Sequence, residues 1–547
     1  MTGREFGRRG MLAMPWLLPA AAPAVAQGIA AALQVGETAT LRLEAGERRE
    51  LLLPLQAGDY VAGLLTRGTD PLVEGPGLDL LAPGSEAPLR RLAIPGGGPL
   101  SFQFVAPAEG AYRLRLFAGA AAEAGLGITR ILPRAQQVAP DPALAPLDSP
   151  RLQALRQALR DGADAASEMT RFWAEIARQG APLIEKRADG QGAWVSFLWR
   201  GAATRNVRLS GGPSRDLPPL ARMPGTDLWF LTVAVPPGTR LTYQLAPDVP
   251  ELPEEAEAWR GAVPATAQAD PLNPHPWWPA DPRRDRYTSS SVLELEDAPA
   301  SPWLARRPGV AEGQVWRRRF TSPTLGNTRL LALYSPAAAA QAPLPLLVMF
   351  DGDAYLDIVP TPTILDNLIA AGEIPPVAAL FVGNGPGDAR DRELPPNPRF
   401  AAALVEEMLP WARAQLRLTE NPAQVVIGGA SYGGIAAAFA AFRHPEVFGN
   451  VLSQSGSYGW SPEGAPPEWL IEHYASSARL PLRFYLEAGS FERGRPGRVS
   501  LVDSNRHMAM VLRARGYPLT HREWASGHDY IAWRATLALG LQTLFRA

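Results

Sequence analysis

The sequence predicts a multidomain protein: two N-terminal β-sandwich domains followed by a larger domain in which strands alternate with helices. Three observations carry that expectation. The chain has 547 residues, more than a single hydrophobic core usually serves. After its first residues come short alternating or apolar runs, separated by Gly, Pro and Asp at sandwich-like intervals. From about residue 314, continuous apolar strands alternate with helical stretches, the pattern of a mostly parallel sheet covered on both faces.

Residues 1–26 read as a cleavable export signal. Arg4, Arg8 and Arg9 give a basic start, and an apolar run from Met11 follows. That run is short and broken by proline, too poor to span a membrane. Ala24-Val25-Ala26 is an A-x-A cleavage site that would leave Gln27 first. The Arg8-Arg9 pair fits a twin-arginine signal imperfectly, with Gly7 where a polar residue is usual, and an ordinary Sec signal fits as well. Either route makes the mature protein periplasmic or secreted, and no other stretch approaches a membrane span.

Residues 35–138 are expected to form an accessory β-sandwich or jelly-roll-like domain, with strands near 40–46, 49–55, 101–105 and 111–117. Residues 139–150 are rich in Ala, Pro and Asp and read as a linker. A second β-domain is placed at 150–265. It opens with a helical pattern over 151–179, followed by strands near 194–200, 228–235 and 240–245. The third domain is placed at 290–547, with buried strands at 344–350, 377–382, 425–429 and 482–486 and helices at 399–416 and 434–443.

Composition narrows the chemistry. Hydrophobic residues make up 46% and charged residues 20%, which excludes wholesale disorder. A net charge of -1 argues against a general nucleic-acid binder. The chain has no Cys, so thiol catalysis, zinc–thiolate sites, iron–sulfur clusters and disulfides are excluded. Its six His residues show no close metal-binding spacing, and neither a metal centre nor a cofactor is expected.

Gly429-Ala430-Ser431-Tyr432-Gly433 is a G-x-S-x-G pentapeptide between an apolar strand and a helix-compatible run. That context is a nucleophile elbow, and it makes the third domain an α/β-hydrolase domain with Ser431 as nucleophile. The flanking glycines remove Cβ atoms that would clash in so tight a turn. The Tyr432 N–H then stands at a helix start, free to stabilise an oxyanion. The chain order of this fold is Ser, acid, His. His528, after a strand-like 519–524, suits the general base. His444 reads as a helix-end residue, and His473, His507 and His521 as surface residues. The acid should follow the strand at 482–486. Glu492 is favoured, Glu487 is the alternative, and Asp503 lies behind both. Asp353, after the strand ending at Phe350, is chosen as the second oxyanion N–H.

Over about residues 168–547 the chain resembles the enterochelin (enterobactin) esterase family. The resemblance runs in order through residues 172–183, 223–229, Asp270-Pro-Leu-Asn-Pro, Phe350-Asp-Gly, residues 390–397, 406–411, the elbow, residues 452–458 and Gly527-His528-Asp529. It implies an immunoglobulin-like domain ahead of an esterase-D-like α/β-hydrolase. It also implies hydrolysis of the trilactone ester bonds of ferric catecholate siderophores, which releases iron. Arg390 matches the family's Arg in R-x-x-E-L-x-x-N and is the first candidate for an anionic substrate, and Trp460 is an aromatic candidate. The accessory domain at 35–138 and the export signal depart from the usual family pattern. Some smaller periplasmic relatives work with a Ser–His pair and no firm acid. The expected partner is therefore a small-molecule ester. Two rival readings are an exported esterase acting on another ester, such as a carbohydrate ester, and a non-catalytic siderophore-binding protein. The intact Ser431 and His528 argue against the second.

Overall fold

The computed structural model of the protein describes residues 29–30, 32–68, 75–138, 145–252, 259–277, 285–337, 342–494 and 499–546. The export-signal reading of residues 1–26 lies outside the described residues, as do residues 139–144 of the linker. The architecture is a β-rich N-terminal region followed by an α/β domain.

Two sheets build the first β-unit. One orders Ile29–Ala30, Arg48–Leu55, Gly110–Phe117, Gly77–Leu81 and Pro88–Ala93. The other orders Thr38–Leu43, Ala122–Leu132, Tyr60–Arg67 and Leu100–Val105. Leu53, Leu80 and Leu114 from the first share one buried core with Leu65, Phe104 and Leu126 from the second. Strand periodicity of two explains the choice: Tyr112, Leu114 and Leu116 alternate inward and are fully buried. Each such side chain contributes about 1.5–3 kcal/mol on burial.

The second β-unit pairs two four-stranded sheets. They are ordered Leu183–Lys186, Ala193–Arg200, Leu228–Val235, Ala221–Arg222, and Val207–Gly211, Arg240–Pro247, Ser290–Glu294, Pro276–Trp277. Val195 and Phe197 of the first meet Leu209, Leu241 and Leu245 of the second in a common core. The helical stretch expected at 151–179 is two helices, Pro150–Arg160 and Ala165–Gln179. Gly162 takes φ 91° between them, and the Asp164 carboxylate caps the second by accepting from Ser167 N–H. Phe172, Trp173 and Ile176 cover the outer face of the first sheet at Leu198 and Phe230. This unit extends beyond the expected boundary at 265, because Ser290–Glu294 pairs with Arg240–Pro247 and carries Pro276–Trp277 beside it. Strands this short, in a Pro- and Trp-rich stretch, have too little period to read from sequence.

The sheet of the third domain begins at Gln314. Its strands are β1 (Gln314–Ser322), β2 (Asn327–Ser335), β3 (Leu346–Phe350), β4 (Ala378–Val382), β5 (Val425–Ala430), β6 (Asn450–Gln454), β7 (Arg483–Gly489) and β8 (Leu519–Trp524). Their order is β1-β2-β4-β3-β5-β6-β7-β8. The first two contacts are antiparallel and the rest parallel. Strands β3 to β6 are buried along their whole length, as continuous apolar runs demand when helices cover both faces. One layer packs on Leu346, Val348 and Ile427, the other on Leu347, Met349 and Val426. The edge strand β1 presents Arg317, Arg318 and Arg319 exposed.

The first β-unit docks on the second. Arg90 donates to the carbonyls of Ala265 and Pro264 at 2.6 and 2.8 Å, and Arg91 N–H donates to Asp285 at 2.6 Å. Tyr60 and Leu132 share a small core with Ala262 and Ala265. No helix among the described residues is long and apolar enough to cross a membrane.

Candidate active site

Parallel strands end on one edge of a sheet, and their following loops gather there. In this chain that edge collects Asp351 after β3, Asn384 after β4, Ser431 after β5, Ser455 and Ser457 after β6, Glu492 after β7 and His528 after β8.

Ser431 joins β5 to the elbow helix Tyr432–Arg443 with φ 56° and ψ -118°. A non-glycine residue holds such a backbone only when its surroundings enforce it. Ser431 N–H donates to Gln454 O at 3.0 Å, and its own carbonyl accepts from Gly434 and Ser457 N–H at 3.1 and 3.0 Å. The glycines around it are sterically required. A Cβ at Gly429 would stand 2.9 Å from the Gly433 backbone, and one at Gly434 only 2.6 Å from Ser453 Oγ. Ser431 Oγ is partly exposed and lies 3.3 Å from Ser457 Oγ. No hydrogen bond joins it directly to His528 among the described residues. Nucleophile–base contacts often tighten only with substrate in place.

His528 and Glu492 are brought together. His528 Nδ1 lies 2.9 Å from Glu492 Oε1. The Glu492 side chain is fully buried and that of His528 is 21% exposed, so the carboxylate stays dry while solvent still reaches the ring. Among the described residues Glu492 Oε2 has no hydrogen-bond partner. The Glu492 carbonyl accepts from Val502 N–H and Ser500 Oγ, each at 3.3 Å, which ties Glu492 to the start of the helix Leu501–Ala514. Glu487 goes elsewhere. It lies within β7, fully enclosed, and accepts from Thr536 Oγ1, Gln454 Nε2, Tyr485 OH and Trp524 Nε1 at 2.5, 2.7, 2.8 and 3.0 Å. Burial pushes its carboxyl up, against the pull of those four donors. Asp503 lies in the exposed first turn of the helix Leu501–Ala514, where its N–H donates to the N-cap Ser500 Oγ at 3.2 Å and its carboxylate pairs with Arg506 at 2.9 Å.

The loop that carries His528 is held by the second β-unit. Asp529 Oδ2 accepts from Thr242 N–H at 2.9 Å and Thr242 Oγ1 at 3.1 Å, and Arg240 N–H donates to Ala525 O at 3.0 Å. Burial raises the Asp529 carboxyl, and the Thr242 and Ala532 amides oppose the rise. Its Oδ1 caps the C-terminal helix Tyr530–Phe545 through Ala532 N–H at 3.2 Å. Trp533 of that helix stacks edge-on against His528 with centroids 4.9 Å apart and donates Nε1–H to Ser455 Oγ at 3.1 Å.

Of the other expected residues, Asp353 is exposed at the start of the short helix Gly352–Asp357, whose leading N–H groups have no helical acceptor. Tyr432 is half-buried at the head of the elbow helix. Arg390 spends two donors on Asp351, Nε at 2.6 Å and Nη2 at 2.9 Å. Burial works against its charge, but the Asp351 bonds prevail and raise its pKa. Its guanidinium also stands 5.7 Å from the Tyr432 ring centre, beside the nucleophile. Trp460 packs edge-on against Trp469 at 6.3 Å and leans on the core. Reading from sequence missed Ser457, Trp533 and the Asp529–Thr242 tie. His473 and His521, expected at the surface, are half-buried; His473 stacks 3.8 Å from the Trp469 ring. Among the described residues no group of His, Asp and Glu is arranged to hold a metal ion.

Two family models match the chain: one described as "Putative esterase" over residues 322–544, and "Enterochelin esterase, N-terminal" over residues 194–304. An iron(III) enterobactin esterase of Dickeya dadantii is 30% identical over 418 residues, covering 68% of this chain and 92% of that protein. An iron(III) salmochelin esterase of Escherichia coli is 30% identical over 401 residues, covering 69% and 94%. The crystal structure of the enterobactin esterase of Shigella flexneri in the presence of enterobactin matches with TM-score 0.55 and 28% identity, over 67% of this chain and 96% of that one. The ferric enterobactin esterase of Salmonella typhimurium matches with TM-score 0.57 and 27% identity, over 69% and 98%.

Proposed function

Because the chain belongs to the iron(III) enterobactin esterase family, we propose that it hydrolyses the trilactone ester bonds of ferric catecholate siderophores and so releases iron. It is a hydrolase acting on esters. The single observation that carries the site assignment is the strained Ser431 at the elbow, on the same sheet edge as the His528–Glu492 pair.

In this reading His528 Nε2 takes the Ser431 proton as Oγ attacks the lactone carbonyl carbon. The Tyr432 and Asp353 N–H groups hold the oxyanion. Collapse of the tetrahedral intermediate expels the alkoxide of the neighbouring serine unit, which His528 protonates. Water, deprotonated by His528, then attacks the acyl enzyme, and Ser431 leaves with the proton restored. Glu492 orients the ring and stabilises the imidazolium through Nδ1–H. Arg390 and Trp460 form the receiving side for an anionic, aromatic-rich substrate, Arg390 being pre-aligned by Asp351.

We read the paired N-terminal sheets, each pair with its shared core, as two β-sandwiches, and the eight-stranded sheet as an α/β-hydrolase. The basic start and A-x-A site of residues 1–26 support a periplasmic or secreted mature protein. N-terminal sequencing of protein recovered from the periplasm or medium should begin at Gln27.

Chromatographic assay of purified protein with ferric and iron-free enterobactin tests the substrate. Linear trimer, dimer and monomer should accumulate. Good turnover of simple aryl esters with no cleavage of either trilactone would replace this reading with that of an exported esterase for another ester.

A further inference from the structure

The first β-unit lies wholly before the segments that the family models match, which begin at residue 194. It nevertheless touches the loop that leads into Arg390. Its loop 94–99 carries three successive glycines, Gly96, Gly97 and Gly98. Gly98 takes φ 78°, and a Cβ built there would stand 3.2 Å from the Gly387 nitrogen and 3.5 Å from its Cα. The two backbones are therefore in direct contact. Gly387 sits between β4 and the short helix Ala389–Glu393, so it leads straight into Arg390. Arg390 in turn holds Asp351 and faces Tyr432, the neighbour of Ser431. Asn384, earlier in the same loop, donates to Asp351 at 2.9 Å.

The 94–99 loop is not a loose tip. Arg67 braces it from within. Its Nε donates to Gly98 O at 3.1 Å, Nη1 to Ile94 O at 2.8 Å and to Pro76 O at 3.3 Å, and Nη2 to Gly97 O at 3.4 Å. Gly98 N–H adds a bond to Gly68 O at 2.8 Å. A guanidinium that bonds three carbonyls of one loop and the Pro76 carbonyl beside it fixes the loop's shape, as its planar fork suits it to do. The strand that leads into the loop, Pro88–Ala93, is anchored by Arg90 and Arg91. The loop thus meets Gly387 as a rigid element.

We propose that the 94–99 loop, braced by Arg67, is a specificity-determining wall of the substrate entrance, set against the Gly387–Arg390 segment. It selects among esters by bulk and charge at a distance from the bond being broken. This rests on the assignment of Ser431 as nucleophile. A small ester occupies only the elbow and the oxyanion donors. A bulky polyanionic ester extends over the Arg390 rim and meets this wall.

The test compares Gly98→Asn, Gly98→Asp and Arg67→Gln with the wild-type full chain on ferric enterobactin and on p-nitrophenyl acetate. Asn and Asp both tolerate a positive φ and have the same shape, so the pair separates bulk from charge. Gly98→Asn should lower kcat/KM on the ferric trilactone about tenfold, the lower end of the effect of one misfitted pocket contact. Gly98→Asp should lower it further, and Arg67→Gln should act in the same direction. All three should keep turnover of the small ester within about twofold of wild type. Parallel behaviour on the two substrates, unchanged or reduced together, overturns the proposal. A Gly98 variant that fails on both through misfolding leaves Arg67→Gln to decide by the same criterion. If the wild type cleaves no trilactone, the substrate reading fails by itself. The wall is then judged by the same split between a bulky anionic aryl ester and the small one.

Discussion

The strain at Ser431 is sustained by bonds that do not involve its hydroxyl: its N–H to Gln454 and its carbonyl to Gly434 and Ser457. Ser431→Ala should therefore abolish ester hydrolysis and leave the melting midpoint unchanged. His528→Ala should cost a similar factor, and the double variant little more, since nucleophile and base act as one unit. Retention of more than a few per cent of activity by Ser431→Ala, measured as kcat on an aryl ester, would remove it as the nucleophile. The two carboxylates after β7 make a sharper contrast. Glu492→Gln keeps the shape but replaces the acceptor beside His528 Nδ1, so kcat should fall by orders of magnitude. Glu487→Gln alters an enclosed carboxylate that takes four donors, none of them His528. An amide cannot accept all four, so this variant should melt earlier by a margin on the order of 1–3 kcal/mol with kcat largely kept. A large kcat loss in Glu487→Gln with none in Glu492→Gln would reverse the assignment.

At the scale of elements, the loop between β8 and the C-terminal helix is shared by two domains. Asp529 ties it to Thr242, next to the base itself. Asp529→Ala leaves the Thr242 amide unpaired and removes the cap of Tyr530–Phe545. Both stability and kcat should drop. Asp529→Asn keeps one acceptor oxygen, enough for either the Thr242 bonds or the helix cap but not both, so it should recover only part of each. If Ala and Asn variants both match wild type in kcat and melting, the tie has no part in placing His528. The second β-unit carries its own titrating element. Burial pushes the Asp270 carboxyl from about 3.8 up to about 6, against the donor bonds from Tyr243 and Leu272. The folded state then holds that proton over a range where the unfolded chain has lost it. Stability contributed here is present below about pH 4, declines as pH rises to about 6, and stays reduced above. Asp270→Asn should lose that slope, up to about 3 kcal/mol across the window. Melting midpoints of the two proteins followed over this range should diverge with pH; a constant offset would contradict the assignment.

Across the whole molecule, what the sequence discloses depends on how local the signal is. Ser431 and its glycines lie in one pentapeptide, and the strand before and helix after carry their own periods, so the elbow is plain in the text. His528 stands out by chain order and by the strand that precedes it. Choosing between Glu492 and Glu487 needs to know which carboxylate leaves the sheet and which stays inside, and two loop-adjacent glutamates read alike. The boundary near 265 is missed because Pro276–Trp277 and Ser290–Glu294 gain strand character only from pairing with Arg240–Pro247. The Asp529–Thr242 tie joins residues 287 positions apart, and the Gly98–Gly387 contact leaves no pattern in either loop. One feature of the catalytic sheet bears on life in a crowded solution. An open edge strand is a template on which a second chain can add a strand and start a precipitate. β1 is such an edge, nine residues long, and Arg317, Arg318 and Arg319 stand exposed along it. Two copies approaching edge to edge would bring like charges together, so the molecule resists growing into a continuous sheet even at concentrations where a neutral edge would not.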